Sequence, residues 1–338
     1  MAAMFYNGSR TASATVDGGG GGRFMDLGER LTTAVQQAKR QVVHVRALEA
    51  DGDTVTFGSG VVLDHTHVLT NAQVVSGGEK KVTVRTANGR KYEARLVGVD
   101  PLYFVTVLEL DGWLPYEPMP LLGIDEAVTG LPVVAVGNAA GTDYNASFGI
   151  ASGIDRTIYR PERLPVDGLL ITDARVHPGN AAGALVTLDG RLMGINGIPW
   201  QNGLSLCVHA DVAWRVASQI IDFGQATHAW LGFSGEPEII DQAVADLFSL
   251  PFDRGINVFQ VASGGPGEEA GVQVGDLVVR VGERPVSSLG AIRRVLSQHR
   301  HGEQVPLTVL RDDELVDLTL PVREMPRLGR LGGGESGG

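Results

Sequence analysis

The sequence predicts a mainly β protein made of two unlike parts. Between about residues 41 and 210, short runs of β-branched and aliphatic residues alternate with turn signals, and helical periodicity is scarce. Many short strands at close spacing are typical of barrels and sandwiches. Between about residues 228 and 325, strand patterns alternate with two helical patterns, at 239–249 and 288–299. This second stretch predicts a compact α+β module.

The strands of the first part are predicted from apolar runs that turn residues separate. The clearest runs are Val42–Val45, Gly60–Leu63, Lys81–Val84, Val105–Leu108, Val133–Val136 and Leu185–Leu188. Asn88-Gly89 and Asp189-Gly190 each follow one of these runs. Both dipeptides accept the positive φ of tight two-residue turns, so each predicts a hairpin.

Helical spacing marks both ends of this strand-rich part. The apolar residues at the N-terminal end predict a helix over 26–40, and they are Leu27, Leu31, Ala34, Val35 and Ala38. Val212, Val216 and Ile220 share one face of a second helix, over about 211–222, which Gly224 ends. A short polar junction follows, so the predicted domains are 26–224 and 228–325.

Composition and charge limit the functions open to the chain. Its 338 residues, 43% of them apolar, suffice for two ordinary cores. The net charge of −11 argues against nucleic acid, because phosphate binding needs a basic surface. No apolar run approaches the roughly 20 residues that span a bilayer. Residues 1–17 also lack the basic and apolar segments of a secretory signal, which favours a cytoplasmic location.

Both ends of the chain have the composition of disordered segments. Residues 1–25 contain five consecutive glycines, and residues 326–338 end in a glycine-rich stretch. Cys207 is the only cysteine, so no intrachain disulfide forms. It lies in the apolar run Leu204–Val208, which favours a buried structural thiol over a reactive one. The sequence predicts neither a metal nor a cofactor.

Seven segments occur in an order that resembles the HtrA (Deg) family of serine proteases. They are Gly58–Leu63, Leu69–Val75, Asp100-Pro101 before Val105–Leu108, Val136–Asn138, Gly149–Ser152, Thr172–Leu185 and Gly194–Asn196. The resemblance covers about 40–325. It implies a chymotrypsin-like double β-barrel followed by a PDZ domain, the activity of a serine endopeptidase, and homotrimers formed through N-terminal segments.

The resemblance fails at each of the three positions that carry the family's catalysis. Gln73 stands where Leu-Thr-Asn-x-His-Val-Val has its histidine, and a carboxamide cannot act as a general base. Phe104 stands at the second aspartate of Asp-Pro-x-x-Asp, and a phenyl ring cannot orient an imidazole. Ala181 stands at the serine of Gly-Asn-Ser-Gly-Gly, which removes the attacking oxygen. A single serine-to-alanine change is explained as a laboratory inactivation of a working enzyme. Three changes in three separate motifs are not explained in that way, and they indicate loss of catalysis.

Other side chains near these motifs are candidates for a substitute chemistry. His65, His67 and His177 are possible replacement bases, although each is also explained as a polar loop or strand-end histidine. Ser147 and Ser152 lie in a segment that resembles a structural strand and loop, where a hydroxyl more often stabilises a turn.

Two further features of the degenerate site are carried over from the resemblance. Gly179 and the amide of Ala181 correspond to the family's oxyanion hole, although Ala182 replaces a glycine and Ala184 a proline. Arg175 corresponds to the floor of the primary specificity pocket. Arg175 is predicted to fill the pocket or to lie in solvent. Recognition of an acidic side chain by Arg175 is the less favoured alternative.

The second part resembles an HtrA-type PDZ domain along its whole length. Its Trp230-Leu231-Gly232-Phe233 matches the loop that captures a C-terminal carboxylate, and Ala270–Val278 matches the turn into the next strand. Ile292 and Leu296, on the helical pattern that forms the groove's other wall, are predicted to contact the peptide. A purely structural or self-associating role is the alternative.

Two classes of function therefore compete. The leading hypothesis is a catalytically inactive pseudoprotease that binds peptide or protein C-termini and unfolded segments, as an adaptor, regulator or chaperone-like scaffold. The alternative is an active serine endopeptidase with non-standard catalytic residues. A third hypothesis is that the chain pairs with an active HtrA paralogue and regulates it.

Overall fold

A computed structural model describes residues 26–49, 55–75, 80–138, 144–160, 163–248, 250 and 254–326. Both tails predicted to be disordered, residues 1–25 and 326–338, lie outside the described residues, except for Pro326. The predicted first helix is present as α1 (Leu27–Gln41), which Asp26 caps through its side chain. Acceptors placed at this position satisfy a backbone N–H that would otherwise lack a partner at the helix start.

The first part consists of two closed six-stranded barrels. The first barrel is formed by β1 (Val42–Glu49), β2 (Val55–Val62), β3 (His67–Asn71), β4 (Lys80–Arg85), β5 (Lys91–Asp100) and β6 (Val105–Leu110), in the order β1-β2-β3-β6-β5-β4. A single-turn helix, α2 (Ala72–Val75), directly follows β3. Gly89, in the predicted hairpin turn between β4 and β5, has a φ of 84°, which glycine adopts without strain.

The second barrel repeats the same strand order. It is formed by β7 (Pro132–Gly137), β8 (Asn145–Arg160), β9 (Arg163–Thr172), β10 (Ala184–Thr187), β11 (Leu192–Pro199) and β12 (Ser205–His209), in the order β10-β11-β12-β9-β8-β7. Gly190 in the predicted β10–β11 hairpin turn has a φ of 83°. Side chains of both barrels share a buried apolar cluster, which includes Val105, Leu169 and Ile195. The barrels therefore meet along a common core.

The predicted second helix is α3 (Ala210–Phe223), which packs on both barrels and ends at Gly224 in a left-handed conformation. Its N-cap is His209, whose Nδ1 accepts a hydrogen bond from the backbone N–H of Asp211 at 3.2 Å. His209 is fully buried. Burial lowers the pKa of His209 to about 4, and the carboxylates of Asp211 and Asp155 oppose this shift only in part.

We expect His209 to make the chain acid-sensitive. The unfolded chain takes up this proton below pH 6.5, but the folded chain takes it up only below about pH 4. Acid therefore favours the unfolded state, and this residue should cost about 3 kcal/mol of stability between those two pH values. Urea denaturation at a series of pH values measures the loss. In His209→Asn, whose side-chain oxygen still caps the helix, this share should vanish. Equal pH dependence in both proteins would contradict the assignment.

The second part is built on a sheet with β14 at its edge. Its strands are β13 (Ala229–Trp230), β14 (Phe233–Ile239), β15 (Arg254–Val261), β16 (Leu277–Val281), β17 (Arg284–Pro285), β18 (Gln304–Arg311), β19 (Glu314–Pro321) and β20 (Arg323–Glu324). The main sheet runs β14-β15-β16-β18-β19, β17 pairs with β16, and β13 pairs with β20. Three helices complete it, namely α4 (Gln242–Leu247), α5 (Pro266–Glu269) and α6 (Leu289–Leu296).

Polar contacts fasten this second part to the barrels. The guanidinium of Arg293 on α6 and the carboxylate of Asp167 on β9 form an ion pair with both side chains about 4% exposed. The hydroxyl of Tyr103 donates to the other oxygen of Asp167 at 2.7 Å, and Arg293 Nε donates to the carbonyl of Ala229 at 3.0 Å. A second pair, between His228 and Asp100, has a distance of 2.9 Å. The junction is therefore held by buried polar pairs, although Nδ1 of His228 has no hydrogen-bond partner among the described residues.

Candidate active site

A cleft of about 350 Å³ lies between the two barrels. Its walls come from the end of β3, the segment 102–105, and strands β9, β11 and β12. Gln73 and Phe104 both line it, so the structure brings together two of the three positions singled out from the sequence. The third position, Ala181, does not line the cleft, but its neighbour Ala182 does.

Gln73 lies in the single turn of α2, and its side chain is exposed at the cleft. Its backbone N–H donates to Oδ1 of Asn71 at 2.8 Å. The preceding amide, that of Ala72, donates to the carbonyl of Phe104 at 3.1 Å. These two bonds hold the segments that carry Gln73 and Phe104 side by side, so the local backbone arrangement joins the two positions even though neither side chain titrates near neutral pH.

Phe104 has a φ of 56°, in the left-handed region. Asn and Asp are enriched there because their short polar side chains bond locally, whereas a bulky residue is an outlier. An aspartate therefore suits this backbone position better than the phenylalanine that occupies it. The ring is half-buried against the cleft and brings no charge to it.

The loop that carries Ala181 is fastened to β2. The backbone N–H of Ser59 donates to the carbonyl of Ala181 at 3.2 Å, and the hydroxyl of Ser59 donates to the carbonyl of Gly179 at 3.0 Å. Ala182 has a φ of 62°, a conformation that glycine adopts more readily. Its N–H donates to the carbonyl of Asn196 at 2.7 Å, which ties the loop to β11.

The amides predicted to resemble an oxyanion hole are those of Gly179 and Ala181. None of the hydrogen bonds within the described ranges uses either of these two N–H groups. Unpaired backbone amides of this kind favour an anionic or carbonyl oxygen. Neither Gly179 nor Ala181 lines the cleft, and the methyl side chain of Ala181 provides no hydroxyl nucleophile.

None of the histidines proposed as replacement bases lines the cleft. His65 stacks on Trp113 with ring centroids 4.2 Å apart, and its Nδ1 is 3.0 Å from the carbonyl of Leu114. His67 lies 2.8 Å from the carboxylate of Asp64. His177 is exposed. The structure thus gives the first two histidines local partners, Leu114, Trp113 and Asp64, that are not part of the cleft lining.

The hydroxyl and thiol candidates do not form a nucleophile–base pair either. Ser147 and Ser152 lie on β8 and do not line the cleft. Cys207 does line it, but only 1% of its surface is exposed and burial raises the pKa of its thiol to about 12. A thiol with this pKa stays protonated and is a poor nucleophile. Arg175 is exposed to solvent and is not part of the cleft lining.

The predicted carboxylate loop, Trp230–Phe233, runs from the last residue of β13 to the first residue of β14. Gly232 has a φ of 71°, and a Cβ on it would approach the backbone nitrogen of Gly267 to 2.6 Å, so only glycine fits. Ile292 and Leu296 have no exposed surface and pack in the core of this part of the chain. A contact between these two side chains and a peptide therefore requires the groove to open.

A residue that sequence reasoning missed, Tyr159, lies against the free edge of β14. Its hydroxyl donates to the carbonyl of Gly235. The N–H of Gly235 in turn donates to the hydroxyl oxygen of Tyr159 at 3.3 Å. Asp155 is also on β8. Its carboxylate accepts hydrogen bonds from the hydroxyl of Ser288 and from the guanidinium of Arg294, the latter at 2.9 Å. The β8 strand thus reaches both β14 and α6, the two walls predicted for the peptide groove.

One sequence signal for this junction was available. Leu289, Ile292, Arg293 and Leu296 recur at the spacing of one helical face, so Arg293 interrupts an apolar stripe. A charge on such a stripe predicts a buried partner. That partner is Asp167, which lies 126 positions away in the chain, so no local sequence pattern identifies it.

Comparison with known proteins defines the class of this chain. Residues 58–195 match the family model of the trypsin-like peptidase domain, and residues 234–322 match that of the PDZ domain. The solved structure of the HtrA-type protease AlgW with tripeptide is 30% identical, covers 88% of this chain and 97% of its own, and has a TM-score of 0.66. The predicted double β-barrel followed by a PDZ domain is confirmed. The chain belongs to the HtrA family.

Curated relatives of the family are longer than this chain. It is 32% identical to the probable periplasmic serine endoprotease DegP-like of Halomonas elongata, over 83% of this chain and 59% of the relative. It is 30% identical to the periplasmic pH-dependent serine endoprotease DegQ of Escherichia coli, over 78% of this chain and 58% of the relative. The chain therefore spans less than two thirds of these relatives' length.

The names of these relatives contradict the cytoplasmic location predicted from the N-terminal sequence. Both are periplasmic proteins by name, so that prediction is wrong. Charge and hydropathy patterns identify a targeting segment only when that segment lies within the residues inspected. In the described part of the chain, no helix is long and apolar enough to cross a membrane.

Proposed function

We propose that this HtrA-family chain is a pseudoprotease that binds peptides through its PDZ domain, outside the cytoplasm, as an adaptor, regulator or chaperone-like scaffold. The observation that carries the loss of catalysis is the chemistry of the cleft. Among the described residues, nineteen line it, and they include no serine, histidine, aspartate or glutamate. Acyl transfer needs a nucleophile and a base within hydrogen-bond reach, and the hydroxyl and thiol groups of the lining are those of Thr70, Tyr103 and the protonated Cys207. The hydroxyl of Tyr103 donates to Asp167 at 2.7 Å, and burial raises its pKa, so it stays a protonated donor.

Thr70 is a poor substitute for the missing serine. Its side chain is fully buried, and its hydroxyl donates to the carbonyl of Ser59 at 2.8 Å. No histidine or carboxylate lines the same cleft to accept its proton. The relatives are named serine endoproteases, which favours an active hydrolase as the second candidate function. That candidate requires catalytic groups from outside this lining.

Peptide binding is supported by the geometry of β14. It is the edge strand of the PDZ sheet, and it begins directly after the carboxylate loop. An edge strand offers unpaired N–H and C=O groups to an added peptide strand. Gly235 lies two residues beyond Phe233, so a peptide whose carboxylate sits in the loop would pair with Gly235. The N–H and C=O groups of Gly235 that would pair with the peptide are hydrogen-bonded to the hydroxyl of Tyr159 in this structure.

We expect Tyr159→Phe to bind C-terminal peptides about three- to tenfold more tightly than the wild type, because one competing hydrogen bond is worth roughly 0.5–1.5 kcal/mol. The ring remains to pack against Phe259, whose centroid is 5.4 Å away. Fluorescence anisotropy with a C-terminal peptide library on the full chain measures the change. The matched control is Tyr144→Phe, which removes a hydroxyl bonded to the carbonyl of Val42 at 2.9 Å in the barrels.

Each outcome of this screen is decisive for one part of the proposal. If no peptide binds the wild type or Tyr159→Phe, the chain is not a C-terminal peptide adaptor. If both bind equally, Tyr159 does not compete with peptide. A homotrimer and a mixed assembly with an active paralogue are further parts of the proposal, and mass measurement in solution, alone and after mixing, tests them.

A further inference from the structure

We propose that the cleft between the barrels is a binding site for an uncharged, two-ring aromatic group. This inference goes beyond the peptide adaptor role, because the cleft is separate from the groove beside β14. It concerns the volume around Gln73 and Phe104, where the triad side chains would otherwise stand. Four properties of the cleft support it, namely its size, its lack of charge, the internal pairing of its polar groups and its aromatic walls.

The size of the cleft suits a ligand of two fused or linked rings. An engineered apolar cavity of about 150 Å³ stays dry and binds benzene. At about 350 Å³, this cleft has more than twice that volume. Apolar sites of this size are within the range of small-molecule pockets. A single ring would therefore leave much of the apolar wall without contacts.

The absence of charge selects against ionic ligands. None of the nineteen lining residues within the described ranges is an Asp, Glu, Lys, Arg or His, although the whole chain carries a net charge of −11. A charged group that enters such a site loses its hydration without gaining a partner, which costs several kcal/mol. The cleft therefore favours a neutral ligand.

The polar groups of the cleft are mostly committed to the protein itself. Tyr103 donates to Asp167 at 2.7 Å. Asn196 donates to the carbonyls of Val136 and Ala184, both at 3.2 Å. Together with the hydroxyl of Thr70, these groups turn their hydrogen-bonding capacity inward. A ligand with many donors and acceptors would lose hydrogen bonds to water and find few replacements.

Aromatic side chains favour an aromatic ligand over an aliphatic one. Phe104, Tyr103 and Trp200 all line the cleft. Aromatic rings gain about 0.5–1.5 kcal/mol per pair in offset or edge-to-face packing beyond the burial of their area. Phe104 has a specific part in this, because a carboxylate at the same position would place a charge on the wall. Its replacement of the family's aspartate converts a catalytic position into an apolar surface.

The test is a fluorescence titration of the full chain with 6-propionyl-2-dimethylaminonaphthalene, a neutral probe with two fused rings whose emission brightens and shifts to the blue in apolar sites. The wild type should show saturable binding. Ile198→Asp places a carboxylate in the lining and should weaken binding by on the order of tenfold or more. Ile150→Asp is the matched control, because Ile150 is 39% exposed and Ile198 38%, both on strands of the second barrel, and only Ile198 lines the cleft. It should bind as the wild type does.

A second variant covers the case in which Ile198→Asp fails to fold. Ile198→Trp enlarges an apolar side chain of the lining, which takes up part of the cleft volume, and should also weaken probe binding. Competition by indole and by N-acetyl-Ala-Trp-Ala-amide distinguishes a free small molecule from a polypeptide side chain as the source of the aromatic group, with N-acetyl-Ala-Ala-Ala-amide as the negative control. Absence of saturable binding, or equal losses in the Ile198 and Ile150 variants, overturns the proposal. The titration uses neither proteolysis nor a C-terminal peptide, so its failure leaves the adaptor proposal intact.

Discussion

Ala181→Ser alone is expected to leave the chain without peptidase activity, whereas the triple change Gln73→His, Phe104→Asp and Ala181→Ser should raise activity by several orders of magnitude. The three side chains of a serine protease triad act as one unit. In a subtilisin-type site, removal of the serine alone costs about 10⁶ in kcat, which is about as much as removing all three groups. A serine without a base therefore gains almost nothing.

Casein hydrolysis and labelling by a fluorophosphonate probe measure this series. The double variant Gln73→His with Phe104→Asp is the control, because it has base and orienter but no nucleophile. Ala182→Gly is added to the triple variant to relieve the φ of 62° in the nucleophile loop. Casein cleavage by the wild type, together with specific labelling, would contradict the loss of catalysis and support the active endopeptidase.

Asp167→Ala is expected to lower the free energy of unfolding by about 3–5 kcal/mol, because it leaves the guanidinium of Arg293 buried without its partner. The arginine side chain is about 4% exposed, so water cannot take the place of the carboxylate. The hydroxyl of Tyr103 loses its acceptor at the same time. Burial and the charge of Asp167 both raise the pKa of Tyr103, so this phenol remains a protonated donor at neutral pH.

Urea unfolding of the full chain measures this effect. Glu93→Ala is the control, because it breaks an ion pair with Lys81 in which both side chains are 63% exposed, and such solvent-exposed pairs contribute little to stability. The combined change Asp167→Leu with Arg293→Leu removes both charges and should cost much less than Asp167→Ala. A loss for Asp167→Ala no larger than that for Glu93→Ala would show that the pair does not hold the two domains together.

The elements of the fold follow closely from local patterns in the sequence. The predicted helices over 26–40 and 211–222 are present as α1 and α3, and both predicted hairpin turns have glycines with positive φ. The helical pattern at 239–249 yields only the six residues of α4. Periodicity reports which face is apolar, but capping and packing decide where a helix begins and ends.

The candidate site was predictable as positions but not as a surface. Gln73, Phe104 and Ala181 were identified from three motifs. Their motifs could not show that the cleft between them is uncharged, because Val166, Leu206 and other lining residues come from strands with no motif of their own. The positive φ of Phe104 likewise depends on the turn that brings its carbonyl to the amide of Ala72.

By itself, then, the sequence predicted the double barrel and the PDZ domain through its resemblance to HtrA motifs, and it determined that Gln73, Phe104 and Ala181 stand at three motif positions, because motifs and residue identities are local properties. Only the tertiary structure decided that Tyr159 contacts the edge of β14 and that Arg293 pairs with Asp167. The partners in these contacts are 76 and 126 positions apart. Contacts at such separations arise from chain closure and burial, which no local pattern of residues encodes.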